Sequence, residues 1–477
     1  MRTRCALAFV VLLVAAALDA VAADSAYTTV LWPPGRLEVN ASCGPIKIPE
    51  PSRTANLPVF RKPDWLSELS LGVEECYDTN VYLSGVDHKF LPSSFSVASG
   101  SAVARNNLSS FVTTVSPRIG LDLIPLFSAL FSGGKTLQTF SLAYAPSFAF
   151  YHGESDENNY AHRFLTALNG SRGSFSFDVD GSLSFIDGSR MAPTYPGALE
   201  NAAAPTAPRE RRRQLNSQAT IDLKYDAGAW FLRPTGSLLF WDMQTKLLDV
   251  EGYQNYVDRY ELQGGADIGR RVSSQFAVTL GYRYGHQFQE KLPFRPLESS
   301  NDFQRVLVGV EGKPWQWLKV NLRFGPDFRD FGSHAAVRDR NRVTYYGQGS
   351  VTATPTESDR VSFTFNEWLW TSQLGQIPYF DSSYELSYAH AVGTHLQLEL
   401  GGVVHRYDYT LGDAPGSARD DIEYIAFAGV RYAFNTHFSA DLTYAFHVGR
   451  NLLDNVVDAS TRSFDRNLVS LRARFAF

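Results

Sequence analysis

Apolar and polar residues alternate along most of this chain with a period of two. Val469, Leu471, Ala473, Phe475 and Phe477 alternate with Ser470, Arg472, Arg474 and Ala476. Phe276, Val278, Leu280, Tyr282 and Tyr284 alternate with Gln275, Thr279, Gly281 and Arg283. Leu318, Val320, Leu322 and Phe324 alternate with Lys319, Asn321 and Arg323. Phe175, Phe177, Val179, Leu183 and Phe185 alternate with Ser176, Asp178, Asp180, Ser182 and Ser184. Such runs place one residue class on each face of a β-strand and cannot form one face of a helix, whose period is 3.6.

About 18 such segments are expected between residues 65 and 477. The connections between them alternate in length. Short ones fall at 171–172, 226–227, 271–273, 314–315, 356–357, 393–394 and 435–436; long ones at 78–107, 152–159, 187–213, 244–255, 289–300, 331–340, 372–378, 410–419 and 451–462. The one breach is 123–134, which should be short; its Ile124-to-Phe131 run reads as extended strand or as a membrane-hugging stretch. Tight turns on one side and long loops on the other predict an all-β, transmembrane, antiparallel up-and-down barrel of 16–18 strands. Segments starting at 214, 256, 301, 341, 379, 420 and 463 also recur every 38–45 residues, the period of a β-propeller blade. A blade needs four short strands per period, and here each period holds two long ones.

Composition sharpens the choice. With 44% hydrophobic and 13% aromatic residues the chain is no disordered polymer. Its formal charge of −5 gives no cationic excess for nucleic acid. Three cysteines exclude a disulfide-stapled scaffold and a four-thiolate zinc site. Arg2 and Arg4, the apolar run Ala6–Leu18 and the small residues Ala20 and Ala22 read as a signal peptide over 1–22. Residues 23–64 carry Pro33, Pro34, Pro45, Pro49, Pro51, Pro58 and Pro63 and read as an irregular periplasmic arm. After cleavage 42 basic and 48 acidic residues remain. Cys43 and Cys76 would then share an oxidising compartment, which permits a disulfide between them and equally permits two separate thiols. An even strand number leaves both chain ends on the periplasmic side of a bacterial outer membrane.

Two features favour an apolar face turned to lipid. Aromatics gather near strand ends, as at Phe148, Phe150 and Tyr151, Tyr407 and Tyr409, and Tyr432 and Phe434. The chain also ends on a strand closing at Phe477, with Phe475 on the same face, which resembles the terminal strand signal of bacterial outer-membrane proteins. The stretch Leu69–Tyr82, with a glycine-bearing strand running into Tyr77-Asp-Thr-Asn-Val81, resembles the opening of the beta-barrel porin-2 family; the Gly309–Val320 hairpin is similar as well. That resemblance spans about 65–477. It implies a porin-like barrel, in some cases tied to surface polysaccharide systems, and no catalytic residues.

Searches for other chemistry return little. Gly134-Lys135-Thr136 lacks the earlier glycine of a phosphate loop, where Ala129 stands. His390 and His395 straddle an expected turn, where paired metal ligation is the weaker reading, so no metal and no cofactor is expected. No nucleophile is singled out, so no enzyme is expected. Arg209, Arg211, Arg212 and Arg213 sit in a long loop and suit phosphates of lipopolysaccharide or plain solvation.

If apolar positions face lipid, their alternates line a lumen. The expected basic lining is Lys224, Arg233, Arg283, Arg305, Lys319, Arg323, Arg360, Arg431, Arg472 and Arg474. The expected acidic lining is Asp178, Asp180, Asp222, Glu261, Asp267, Glu311, Glu385, Glu399, Glu423 and Asp441. These read either as cross-strand ion pairs or as opposed charged walls. A barrel this wide is not filled by its own side chains, so the loops 78–107 and 187–213 are candidates to fold inward. The expected function is passive passage of small hydrophilic solutes. Exopolysaccharide export and a plugged structural or adhesive barrel are the alternatives. The expected partners are outer-membrane lipid, lipopolysaccharide, the barrel assembly machinery and the solutes; the outer surface permits a homotrimer.

Overall fold

The computed structural model describes residues 63–81, 109–127, 136–155, 158–188, 212–244, 257–291, 299–332, 335, 337, 339–371, 378–409, 420–452 and 464–477. The signal peptide and nearly all of the proline-rich arm lie outside these residues, as do the centres of the two long loops expected to fold inward.

Among the described residues nineteen strands follow in order: β1 Leu66–Asp78, β2 Ser110–Asp122, β3 Leu137–Tyr144, β4 Ser147–Tyr151, β5 Asn159–Arg172, β6 Phe175–Gly188, β7 Arg212–Ala227, β8 Trp230–Met243, β9 Arg259–Ser273, β10 Phe276–Gln289, β11 Asn301–Trp315, β12 Leu318–Phe331, β13 Asn341–Ala353, β14 Asp359–Trp370, β15 Tyr379–Val392, β16 Leu396–Asp408, β17 Asp420–Ala433, β18 Phe438–Asn451 and β19 Phe464–Ala476. A four-residue helix, α1 Ile124–Phe127, follows β2 where the short turn was expected.

Strands pair antiparallel with their sequence neighbours, except that β3 and β4 do not pair with each other, and β1 closes on β19 from Ser70↔Ala476 to Asp78↔Leu468. Segments β3 and β4 both lie between β2 and β5, so they are two halves of one stave and the ring has eighteen positions. The break falls at Ala145-Pro146. A proline has no N–H to give to a ladder, so the stave is interrupted there. Most staves are 13–16 residues long, enough to cross the hydrocarbon with strands tilted. The short hairpins need tight reversals; Gly228 (φ 72°) and Gly393 (φ 64°) supply left-handed backbone there.

The two faces of the sheet are inverted relative to a soluble protein. Leu280, Tyr282 and Tyr284 are exposed, while Thr279, Arg283 and Gln287 on the other face of β10 are buried. The same holds for Leu471 against Ser470 and for Ile268 against Asp267. Aromatic side chains crowd the outer rim at the short-turn end, with Phe175, Tyr225, Trp230, Trp315, Trp317, Phe434, Phe475 and Phe477 all exposed. Such rings prefer the border between hydrocarbon and water. This is a membrane-spanning β-barrel.

One seam departs from regularity. The β13–β14 ladder runs only from Ala353↔Val361 to Gly347↔Glu367. Beyond it β13 continues to Asn341, paired on its β12 side alone. Beyond it β14 turns inward with β15. Tyr345 is 75% exposed, whereas Leu369, at the position that would face it, is 0% exposed and packs with Phe331, Val337 and Phe380. The carbonyls of Leu369 in β14 and of Thr371 just past it are taken up by inner-face side chains: Gln287 Nε2 (3.1 Å) and Arg329 Nη2 (3.2 Å) donate to Leu369 O, and Arg259 donates to Thr371 O.

Close strand approach depends on glycine at particular points. A Cβ on Gly325 would lie 1.8 Å from the Val306 carbonyl oxygen. Gly325→Val is expected to lose about 2–4 kcal/mol of stability. Refolding into detergent, read as heat-modifiable mobility on gels, should show a smaller folded fraction than wild type.

Candidate functional site: a charged inner wall and an aromatic constriction

Strands β8–β13 carry a dense charge network on their inner face. Asp267 on β9 is its first centre. It accepts hydrogen bonds from Arg233 Nε (3.1 Å) and Nη2 (2.8 Å), and Arg283 Nη2 lies 2.7 Å away. Arg233 is held in turn by Glu311, through Nη1 (3.1 Å) and Nη2 (2.8 Å). Arg323 Nη2 stands 3.8 Å from both Asp267 and Glu311. The second centre is Asp327 on β12, which accepts from Arg305 Nε (3.2 Å) and from Arg329 Nη2 (2.6 Å). Arg305 Nη1 also lies 3.8 Å from Glu261, and Arg329 Nη1 donates to Asn301 Oδ1 at 2.7 Å. Five arginines thus share four carboxylates. Asp267, Glu311 and Asp327 each answer more than one guanidinium, which offsets the cost of holding the charges at low exposure.

Aromatic rings complete this wall. Arg305 lies 4.0 Å from the Phe303 ring centroid and 4.3 Å from that of Tyr346; Arg329 also covers Phe303. Arg259 sits over Trp241 (4.3 Å) and near Trp370 (5.3 Å). Guanidinium planes stack favourably on such faces.

The inward turn of β14 brings distant parts of the wall into contact. Trp241 on β8 and Trp370 on β14 stand six staves apart in the ring, yet their ring centroids are 5.4 Å apart, nearly edge-on. Tyr379, Tyr407, Tyr409 and Phe464 join them in one buried aromatic cluster. Beneath it, Gln218, Ser237, Gln263, Arg305, Tyr346 and Trp368 surround a small enclosed space. A constriction of the bore is therefore built from strand residues.

The residues expected from sequence to line a lumen fall into two groups. In ion pairs are Lys224 (with Asp226, 3.9 Å), Arg233, Arg283, Arg305, Arg323, Glu261, Asp267 and Glu311, together with Arg431–Asp441 (2.7 Å), Arg472–Glu74 (2.6 Å), Arg474–Glu68 (3.2 Å) and Glu423–His447 (3.2 Å). Lys319, Arg360, Glu399, Asp178, Asp180 and Asp222 form no ion pair among the described residues. Asp178 and Asp222 are direct cross-strand partners, and Asp180 lies two residues along the same face. Glu385 stands between Thr364 and Val403 in register. The acidic patch on β6–β7 therefore adjoins the arginine network; it does not stand across the bore from it.

Asp327, Arg329, Arg259, Trp241 and Trp370 were not singled out in the sequence. The first two share the face of Lys319 and Arg323, and continuing that alternation to the strand end would have found them. Alternation puts Trp370 on the inner face with Arg360 and Asn366, but its contact with Trp241 depends on the bend of β14 and has no local signal. Cys76 is disulfide-bonded and buried among Val403, Ile425, Phe427 and Leu468; Cys43 lies outside the described residues, as do Arg209 and Arg211. Arg213 pairs with Asp187 at 2.8 Å. Among the described residues no cluster of three or more His, Cys, Asp or Glu is arranged to hold a metal.

No family model matches this chain, and no curated protein matches it. Among solved structures it is similar to Pseudomonas aeruginosa OccK11 (OpdR), with 12% identity and a TM-score of 0.39 over 87% of this chain and 97% of that one. It is similar also to P. aeruginosa OccK2 (OpdF) in complex with glucuronate, with 10% identity and a TM-score of 0.41 over 86% and 98%. The FrpB iron transporter from Neisseria meningitidis (F3-3 variant) gives 8% identity and a TM-score of 0.39 over 86% and 82%. At such identity and overlap these similarities assign no ligand and no activity to this chain.

Asp327 is fully buried and serves two arginines that are nearly so. Asp327→Asn leaves Arg305 and Arg329 with a carboxylate too few, and thermal unfolding followed by circular dichroism should show a loss of about 3–5 kcal/mol. The exposed Arg450–Asp465 pair, removed in parallel by Arg450→Ala, should cost about 0–1 kcal/mol.

Proposed function

We propose that this barrel is a passive channel for small hydrophilic solutes, seated in the bacterial outer membrane with both chain ends on the periplasmic side. The observation that carries the reading is the inversion of the sheet: an exposed apolar outer face encloses an inner face of arginines, carboxylates, amides and hydroxyls. Such an inner face has no purpose against lipid and suits water and polar solutes. Signal peptide, arm and porin-2 resemblance are consistent with it. Lipid, lipopolysaccharide and the assembly machinery are its proposed partners, and Cys43 is the proposed partner of Cys76. Non-reducing peptide mapping should recover a Cys43–Cys76 cross-linked peptide.

The constriction gives the channel its expected behaviour. Polar solutes would pass along the arginine network and meet the ring pair Trp241–Trp370. In planar bilayers the purified full-length protein should show stepwise conductance, and Trp370→Ala should raise the single-channel conductance about twofold or more, because it removes one side of the contact that narrows the bore. Protein that inserts yet never conducts, in wild type and in Trp370→Ala, defeats the proposal. That outcome would favour the second reading, a plugged structural barrel, for which the same cross-bore contact is the supporting observation. Polysaccharide export rests on family resemblance alone.

A further inference from the structure

At the short-turn end of the inner wall the β7–β8, β9–β10 and β11–β12 hairpins enclose a cavity of about 290 Å³. Its floor is the buried ring of Phe231. Lys224 Nζ lies 4.5 Å from that ring centroid, and the guanidinium carbons of Arg233 and Arg271 lie 5.6 Å and 5.9 Å from it. Lys313 and Lys319 line it from the β11–β12 hairpin, on the same side as Glu311, and Asp222 lines it from β7. Three cations around one phenyl ring repel each other, and each must be answered by a negative charge.

The structure answers two of them from within. Arg233 is gripped by Asp267 and Glu311, and Arg271 by Asp226. Lys224 is not answered in the same way. Its residue is only 7% exposed, and its one carboxylate, on Asp226, stands at 3.9 Å, beyond hydrogen-bond distance. A buried ammonium in that position is costly unless a further anion reaches it. Lys313 and Lys319 form no ion pair among the described residues. Against these three ammonium groups the cavity offers one uncommitted carboxylate, Asp222. The balance is an excess of two positive charges in a space of small-solute size.

We infer that this cavity is a binding site for a small dianion, of phosphate-monoester or dicarboxylate chemistry, held by Lys224 and Lys319 above the Phe231 ring. The ammonium groups act as point charges on it, and Ser273 and Ser274 line the cavity from the turn. The site deepens the channel reading and rests on it: it makes the short-turn mouth the place where a charged solute pauses.

Two measurements on the full-length protein test it. In planar bilayers, succinate or inorganic phosphate added on the short-turn side should interrupt the chloride current at concentrations where extra chloride does not. Lys224→Gln with Lys319→Gln should raise the half-blocking concentration of both dianions at least about tenfold, a change of about 1.4 kcal/mol. Equal block in wild type and the double variant, or dianions no more effective than chloride, overturns the inference. Titration calorimetry of the detergent-solubilised barrel with phosphate and with succinate separates this from failure of the channel reading. Heat that is present in wild type and lost in the double variant supports the site even where no current flows, and absence of heat in wild type refutes it. Gel mobility before and after heating confirms that the double variant is folded, and Lys224→Arg should restore block if position and charge are what count.

Discussion

The hydrogen bonds between β1 and β19 hold the whole arrangement in place. An open sheet would offer two rows of backbone N–H and C=O groups to hydrocarbon, each costing several kcal/mol. Closure from Ser70↔Ala476 to Asp78↔Leu468 removes both rows at once. Only then can the apolar alternates face outward without an edge, and only then does the polar set acquire an interior. The terminal strand is therefore structural in the strictest sense, and Phe475 and Phe477 pack edge-on (4.6 Å) on its lipid side.

The interior solves a second problem by sharing. An isolated ion on the inner wall would be poorly compensated, but Asp267, Glu311 and Asp327 each serve more than one arginine, and Arg305 and Arg329 lean on Phe303, Arg305 on Tyr346 as well. These contacts reach across two or three staves, as Arg233 on β8 does to Glu311 on β11. They cinch the wall there, which fits the tight curvature that lets Trp241 meet Trp370.

Much of this was legible in the alternation. Strand count, the succession of tight and long connections and the outward set from Phe276 to Tyr284 follow from a period of two, because a strand offers its side chains no other choice. The break at Pro146 was not read, although proline's missing donor marks it. The aromatic constriction was legible only in part: alternation puts Trp368 and Trp370 on the inner face with Arg360, but their meeting with Trp241 depends on where the β13 ladder stops. The loops expected to narrow the lumen are not needed for that contact. Individual ion pairs were likewise hidden, since alternation gives the face of Arg323 and Asp267 but not their meeting across three strands.

The incomplete ladder between β13 and β14 also sets where the cylinder is weakest. A ring of staves resists rupture by the rungs that join them, and this junction has seven registered pairs where β14 and β15 share twelve. Mechanical or thermal opening should start at that notch and travel from Gly347 toward the tight turn at 354–358. The rest of the cylinder would remain stitched while that single slit widens, so the notch that shapes the constriction also determines how the barrel comes apart.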